Sequence, residues 1–412
     1  MSDKNDEILE KLNNFIDSSE NEMIFLESLL TKHKALSPEN GGDGEEEKAL
    51  ALESWLKENG FNDIKRYNVP DSRVSCGSRP NIVVTIPGES DEYSIWCMSH
   101  LDVVPIGELS SWNTNPWEVV VKDGKIFGRG VEDNQQGLVS SVFASLAYLK
   151  NSKKPSHTVK LLFMADEETG SEYGVSWLLK NTDLFKKEDL ILIPDGGDSF
   201  GRTIEIAEKN ILWLKFHVFG KQVHGSRPDT GKNASIAGSY LALKINALEK
   251  KFKKRNPMFQ PDYSTFQPTM RFENVQGVNI IPGEDVFCVD SRILPYYSID
   301  FVLSKIEKLC KKCEKKFGVQ VCYEILQQNE SPQTDKNSLV VKKLSESIKK
   351  VHKIEPVCIG IGGGTVAAEF RKLGYPCAVW STLDECAHTP NEYAKIENII
   401  KDAKTLVHFF LI

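Results

Sequence analysis

"VKLLFMADEETGSEYG", residues 159–174, runs from an apolar segment directly into three adjacent acids, Asp166, Glu167 and Glu168. The apolar part has the length of a buried strand bounded by turn residues. Ending such a strand on like charges is unfavourable unless something offsets their repulsion, and a divalent cation does so. Neighbouring residues of an extended chain point to opposite sides, so Glu167 and Glu168 face different partners. One can bind a cation while the other stays free as the general base that hydrolysis needs. Most Glu-Glu pairs are solvated loop residues, but this one closes an apolar strand and precedes Thr169-Gly170-Ser171. Asp166 is read as structural, accepting backbone N–H groups at the strand's end.

Four further stretches place acids or histidines just past apolar runs or on loops: "MSHLDVVP" (98–105), "GRGVEDNQQG" (128–137), "IPDGG" (193–197) and "DECAHTPNEY" (384–393). The periodicity around them predicts helices over 7–34, 45–59, 135–150 and 171–181, and strands over 81–86, 94–99, 158–164 and 189–194. That alternation is an α/β domain with a largely buried sheet, in which ligands gather at the carboxyl ends of the strands. After about residue 205 the pattern changes to strands at 206–207 and 212–219, a helix over 233–251, strands near 268–273 and 286–293, and a helix over 299–317. This is a small ββαββα-like α+β sandwich. The α/β pattern then resumes with helices over 337–352, 366–373 and 395–409 and strands near 356–360 and 378–381. The predicted organisation is a catalytic domain in two parts, 1–208 and 326–412, interrupted by a smaller domain over 209–325.

The 412 residues carry a net charge of −7 and a pI near 5.8, which argues against nucleic-acid binding because phosphate contacts need a basic surface. No signal peptide or membrane span is predicted. Nine scattered cysteines do not form a disulfide framework and imply a reducing, cytoplasmic setting. Cys310 and Cys313 form a lone CxxC within a predicted helix and read as two core side chains on one face rather than a metal site. The lysine clusters at 244–255 and 305–316 read as solvated faces.

His100 and Asp102 lie on one side of an extended segment, as a metal-ligating histidine and an orienting carboxylate do. Asp133 sits in a Gly-rich loop before a helix, where its carboxylate is free to bridge two ions; the bland alternative is a helix N-cap. Asp195 ends an apolar run, and His388 is followed by Thr-Pro as in a fixed turn. The set His100, Asp133, Glu168, Asp195 and His388 contains nitrogen and oxygen but no thiolate, which favours zinc, cobalt or manganese over a structural zinc site. With Asp133 shared, five residues suffice for two ions about 3.5–4 Å apart, the spacing of two-metal hydrolytic sites. A rival motif, Gly225-Ser-Arg-Pro-Asp-Thr-Gly231-Lys232-Asn233, mimics a phosphate loop but has one residue too many between its glycines and Asn233 where a Ser or Thr belongs. An NTPase is therefore a remote alternative, and a catalytically dead metal-binding protein is disfavoured because Glu167 and Asp102 accompany the ligands.

In their order, His100-Leu-Asp102-Val-Val-Pro, Gly128-Arg-Gly-Val-Glu-Asp133, Asp166-Glu167-Glu168-Thr-Gly-Ser, Asp195 and His388 resemble the signature of the M20 metallopeptidase and amidohydrolase family. That family includes aminoacylases, succinyl-diaminopimelate desuccinylases, acetylornithine deacetylases and carnosinase-type dipeptidases. The resemblance implies a zinc-peptidase-like catalytic domain, its mixed sheet flanked by helices, with the inserted domain acting as lid and dimerisation domain of a homodimer. It implies two divalent ions, zinc first with cobalt or manganese as alternatives: Asp133 bridging, Glu168 and His388 completing one site, His100 and Asp195 the other. It further implies Glu167 as base, Asp102 orienting His100, and His224 reaching a neighbouring subunit's site to stabilise an oxyanion. Arg292, Asn279, Gly363 and Gly364 are implied contacts for a substrate carboxylate, with an Arg292–Asp290 or Arg292–Glu284 salt bridge as the plain alternative. The implied substrate is a small amide or short peptide. Two departures bear on it: Asn134-Gln135-Gln136-Gly137 stands where many members have Met-Lys-Gly, and position 195 is Asp, as in the family's aminopeptidases and dipeptidases, where many deacylases carry Glu. The second tilts towards peptides, with an N-succinyl or N-acetyl amino acid deacylase as the alternative.

Overall fold

Strands buried on both faces read as continuous apolar runs, and Ile82–Val84, Ile95–Met98, Leu161–Met164, Leu190–Ile193 and Cys377–Trp380 are such runs. The computed structural model, which describes residues 2–412, assembles them into one eight-stranded mixed sheet. Its order is Ile64–Pro70, Ser78–Ile86, His157–Met164, Ser90–His100, Leu190–Asp198, Cys377–Thr382, Thr203–Glu208 and Val357–Ile361. His157–Met164, Ser90–His100, Leu190–Asp198 and Cys377–Thr382 run parallel to one another, so their carboxyl ends share one edge. On one face Trp96, Met98, Leu162, Met164, Ile191 and Ile193 pack with Val175 and Leu178 of the helix Val175–Asn181 and Phe370 of the helix Ala367–Lys372. The helix Gln136–Lys150 is buried from Gln136 to Tyr148, and it packs between this sheet and the carboxyl-terminal helix Ile396–Leu411.

The chain divides into two compact units. One comprises the described residues up to Ile206, Thr334–Cys358 and Thr365–Ile412; the other comprises Ala207–Gln333 and Ile359–Gly364. The second unit has a four-stranded antiparallel sheet, ordered Thr265–Arg271, Glu284–Ile293, Asn210–Phe219 and Gln320–Asn329. The helices Ala234–Asn246 and Ile299–Phe317 bury Leu241, Ile245, Val302 and Ile306 with the sheet's Leu214, Phe216 and Val289. Cys310 and Cys313 lie in this core as buried thiols.

Some elements depart from the sequence pattern. The strand Gln320–Asn329 was not expected: most of its residues are exposed, so it lacks the apolar alternation that announces a strand. With it, and with Thr203–Glu208 placed in the eight-stranded sheet, the small unit follows a βαββαβ order rather than ββαββα. The opening helix is two, Ser2–Ser18 and Glu20–Thr31, broken where the Ser18 and Ser19 hydroxyls bond back to the Phe15 carbonyl at 2.9 and 2.7 Å. The helix expected from 171 begins at Val175, because the Asp166 carboxylate accepts the Tyr173 N–H at 3.0 Å and holds the preceding turn.

Candidate metal centre

The parallel strands deliver the acidic and imidazole groups to one edge of the sheet. His100 is the last residue of Ser90–His100, opposite Met164, and the Leu101 N–H still bonds the Met164 carbonyl at 2.8 Å. The register Cys97↔Leu192 on the other side, carried three residues further, brings His100 level with Asp195. Asp133 lies in the turn Val131–Gln135 that feeds the helix Gln136–Lys150, and its peptide bond to Asn134 is cis. The helix approaches the sheet closely there: a Cβ on Gly137 would collide with the Pro194 carbonyl, next to Asp195. His388 follows Cys377–Thr382 in a loop where Glu385, His388 and Asn391 all adopt positive φ, as residues at functional sites often do.

These placements bring five side chains into two triads that share Asp133. Ligand atoms of His100, Asp133 and Asp195 lie within 4.8 Å of one another, as do those of Asp133, Glu168 and His388. The His100 Nε2 is 2.9 Å from Asp133 Oδ1 and 3.8 Å from Asp195 Oδ1. The His388 Nε2 is 3.0 Å from Asp133 Oδ2 and 3.2 Å from Glu168. His100 is buried, whereas the His388 side chain keeps 55% of its surface exposed, so the groove opens on that side. Asp133 does not act as an N-cap: the helix after it has no side-chain cap bond, and the carboxylate faces the two imidazoles.

Around the triads is a shell of buried polar groups. The nearest partner of His100 Nδ1 is the Asp102 backbone carbonyl at 2.9 Å, with the Asp102 carboxylate at 3.5 Å. That carboxylate instead accepts the N–H groups of Glu167 and Glu168 at 3.1 and 3.0 Å, so Asp102 also fixes the turn that presents both glutamates. Asp166 accepts the Tyr173 N–H and the Thr169 hydroxyl, and it lies 3.7 Å from the buried Arg79, which pairs with Glu45. Asn134, in the segment that departs from the family pattern, donates to Asp195 Oδ1 at 2.5 Å and to the Pro194 carbonyl at 2.7 Å.

Two buried acids missed by the sequence reading hold the loops together. Glu392 accepts the N–H groups of Glu132 and Asp133 at 3.0 and 3.2 Å and the Arg129 guanidinium at 2.6 Å. Glu132 accepts the N–H groups of Asp384 and Cys386, at 2.7 and 2.6 Å, in the loop that carries His388. Both lie inside stretches the sequence had already marked, and the signal was a second acid within a ligand-bearing loop.

The electrostatics fit a site for cations. Burial and the neighbouring carboxylates push the pKa values of Glu167, Glu168 and Asp195 up, that of Asp195 to about 7. Burial disfavours the charge of Asp133, but hydrogen bonds from His100 and His388 outweigh it and hold this carboxyl below its ordinary range. Bonds to Asp133 and Glu168 raise His388 to about 10. Carboxylates that resist ionising together, arranged with imidazoles as two oxygen-and-nitrogen donor sets, match hard or borderline divalent ions.

The remaining candidates belong to the second unit. His224, on the short strand Val223–His224, is exposed, with its Nδ1 2.8 Å from the Ser226 hydroxyl. The Asn279 carbonyl accepts the Gly225 N–H at 2.6 Å, which places Asn279 beside that strand. Arg292 forms the salt bridge of the plain alternative, donating to Asp290 at 2.8 and 3.1 Å, and it also donates to the Gly362 carbonyl at 2.9 Å, next to Gly363 and Gly364. The phosphate-loop reading fails here: Asn233 caps the helix Ala234–Asn246 through the Ile236 N–H, and Lys232 pairs with Lys221 through the backbone.

A mixed sheet whose strand ends converge on two carboxylate–imidazole triads defines a metal-dependent hydrolase of the peptidase and amidohydrolase class. Residues 96–411 match the model of peptidase family M20/M25/M40. An uncharacterized metallohydrolase of Methanocaldococcus jannaschii is 43% identical over 401 residues, 93% of this chain and 97% of the relative. A succinyl-diaminopimelate desuccinylase of Pelagibacter ubique is 27% identical over 311 residues, 74% of this chain and 79% of the relative. The crystal structure of an aminopeptidase from Bacillus cereus superposes with a TM-score of 0.76 at 18% identity, covering 95% of this chain and 98% of that one. The chain belongs to peptidase family M20/M25/M40.

Proposed function

We propose that the protein hydrolyses an amide bond in a small peptide or N-acyl amino acid, using two divalent ions held by His100, Asp133 and Asp195 on one side and by Asp133, Glu168 and His388 on the other. The observation that carries this reading is the pair of triads sharing Asp133, with Glu167 beside them on a turn fixed by Asp102. Zinc is the ion proposed, with cobalt or manganese as alternatives. Such ions supply Lewis-acid activation of water and of the amide carbonyl when bound.

This chain's residues do the rest. Glu167 is half-buried, and burial raises its affinity for a proton. It accepts the proton of the attacking water and then delivers it to the leaving nitrogen, a contribution typically worth about 10²–10⁴ in rate. Asp102 holds Glu167 in register, and Asn134 aligns Asp195. The second unit is proposed as a lid and dimerisation unit. In that reading His224 stabilises the oxyanion in a neighbouring subunit's site, and Arg292 with Asn279, Gly363 and Gly364 receives a substrate carboxylate. Asp195 in place of Glu favours short peptides, whereas likeness to the desuccinylase favours an N-succinyl amino acid as the second reading. Among the described residues no helix is long and apolar enough to cross a membrane. A cytoplasmic setting belongs to the proposal, supported by nine cysteines that are all free thiols.

A substrate panel tests the reading. Dipeptides and N-acetyl and N-succinyl amino acids are assayed with added zinc, cobalt or manganese, using the wild type and Glu167→Gln. Hydrolysis of one class, lost in Glu167→Gln while bound metal is retained, is the expected result. Unaltered turnover in that variant, or no amide cleavage with any metal, overturns it.

A further inference from the structure

The second unit brings together two basic segments that lie far apart in the sequence. On the helix Ile299–Phe317, Lys305, Lys308 and Lys312 share one stripe with Phe301. Lys251 and Phe252, just past the short helix Ala247–Lys250, face that stripe, and Tyr297 closes the space between them. The result is a cavity of about 380 Å³, within the roughly 300–1,000 Å³ range of small-molecule sites. Both lysine clusters had been read as solvated faces. Lys251, Lys308 and Lys312 are exposed and Lys305 is half-buried, and these four ammonium groups ring one concavity with an apolar floor.

The floor is aromatic and ordered. Tyr297 and Phe301 lie nearly parallel, at 10° with centroids 6.0 Å apart, and Phe252 meets Tyr297 edge-on at 4.7 Å. Lys305 Nζ stands 4.4 Å over the Phe301 ring. The acids nearest on the same elements are engaged elsewhere. Glu307 accepts the Tyr323 hydroxyl at 3.3 Å, and Glu249 accepts the Phe266 N–H and the Gln267 amide at 2.9 and 2.6 Å. None of the four lysines has a carboxylate partner among the described residues.

We infer that this cavity binds a small organic polyanion with a flat ring, of the nucleoside phosphate class. Four ammonium groups exceed what a single carboxylate needs and suit phosphate oxygens, which lysine binds as a point charge. The exposed face of Phe301 and the ring of Tyr297 offer a stacking surface that any base can use. This site is independent of the hydrolytic centre, and its test reads binding alone.

The full-length protein is titrated with ADP by calorimetry, alongside pyrophosphate, which keeps the charge without the ring, and adenosine, which keeps the ring without the charge. ADP is expected to bind more tightly than either. Lys305→Gln/Lys308→Gln/Lys312→Gln should weaken ADP about tenfold or more, since each exposed ion pair adds a modest increment and three are removed. Phe301→Leu should weaken ADP and leave pyrophosphate unchanged. Melting temperatures of both variants at the wild-type value establish that they fold. Absence of ADP binding at millimolar concentration, equal binding of ADP by the triple variant, or pyrophosphate binding as tightly as ADP would each overturn the assignment.

Discussion

Replacing Glu392 by glutamine tests how far the metal centre depends on a residue that touches no ligand atom. Its carboxylate lies where three donors converge: Arg129 Nη1 at 2.6 Å and the N–H groups of Glu132 and Asp133 at 3.0 and 3.2 Å. A glutamine keeps the shape but offers one acceptor oxygen and two donors of its own. If that oxygen faces Arg129, two backbone N–H groups lose their acceptor, at about 1–3 kcal/mol each. If it faces the N–H groups, the buried guanidinium loses its counter-charge, and breaking such a pair costs about 3–5 kcal/mol. Either orientation removes roughly 2–6 kcal/mol, much of it at the turn that places Asp133 between His100 and His388.

Loss of a residue that orients ligands in this way lowers metal affinity about 10–100-fold. The assay is metal content after dialysis against graded chelator, by elemental analysis, on the wild type, Glu392→Gln and Glu392→Asp. Both variants should release metal at lower chelator concentration, with both ions affected because Asp133 is shared. Metal retention identical to wild type in Glu392→Gln, with an unchanged melting temperature, refutes the argument that this carboxylate positions Asp133.

Three further outcomes follow from the same geometry. Asp102→Ala leaves the Glu167 and Glu168 N–H groups without their acceptor while the His100 Nδ1 keeps its backbone partner; turnover should fall about 10–100-fold with weakened metal binding, and full activity would refute the role. Arg79→Met strands the buried Glu45 carboxylate and should cost about 3–5 kcal/mol in denaturant unfolding, part of which Arg79→Met/Glu45→Gln should restore. His408 is buried against Ser347, and burial lowers its pKa below the usual 6.5. The unfolded chain therefore takes up that proton first as pH falls, so the stability His408 confers is present above about pH 6.5 and is lost on acidification. His408→Gln should flatten the decline in melting temperature between about pH 7 and 5, and an identical slope would count against the linkage.

The clustering of the five candidate ligands was legible because each closes an apolar run or sits on a loop between two of them, and parallel strands in one sheet must end together. What the sequence could not show is which atoms each side chain meets. Asp102 was read as a partner for an imidazole, since the two lie on one side of an extended segment; its carboxylate does lie 3.5 Å from His100 Nδ1, and it also accepts N–H groups from a turn 65 residues further along. The short ribbon of Val120–Lys122, Lys125–Phe127 and Tyr393–Lys395 escaped the reading because three-residue strands carry too little periodicity. Yet that ribbon pairs Tyr393 with Phe127, and so fixes Glu392 next to the loop that bears Asp133. Local pattern marks residues whose chemistry is distinctive in sequence, whereas Glu392 acquires its role only when segments 259 residues apart meet. Candidate ligands are therefore easier to find than the residues that hold their loops, and in this chain Asp102, Glu132 and Glu392 of that second group are buried acids that accept backbone N–H groups. A second acid within a predicted ligand loop is the feature by which such positions can be sought.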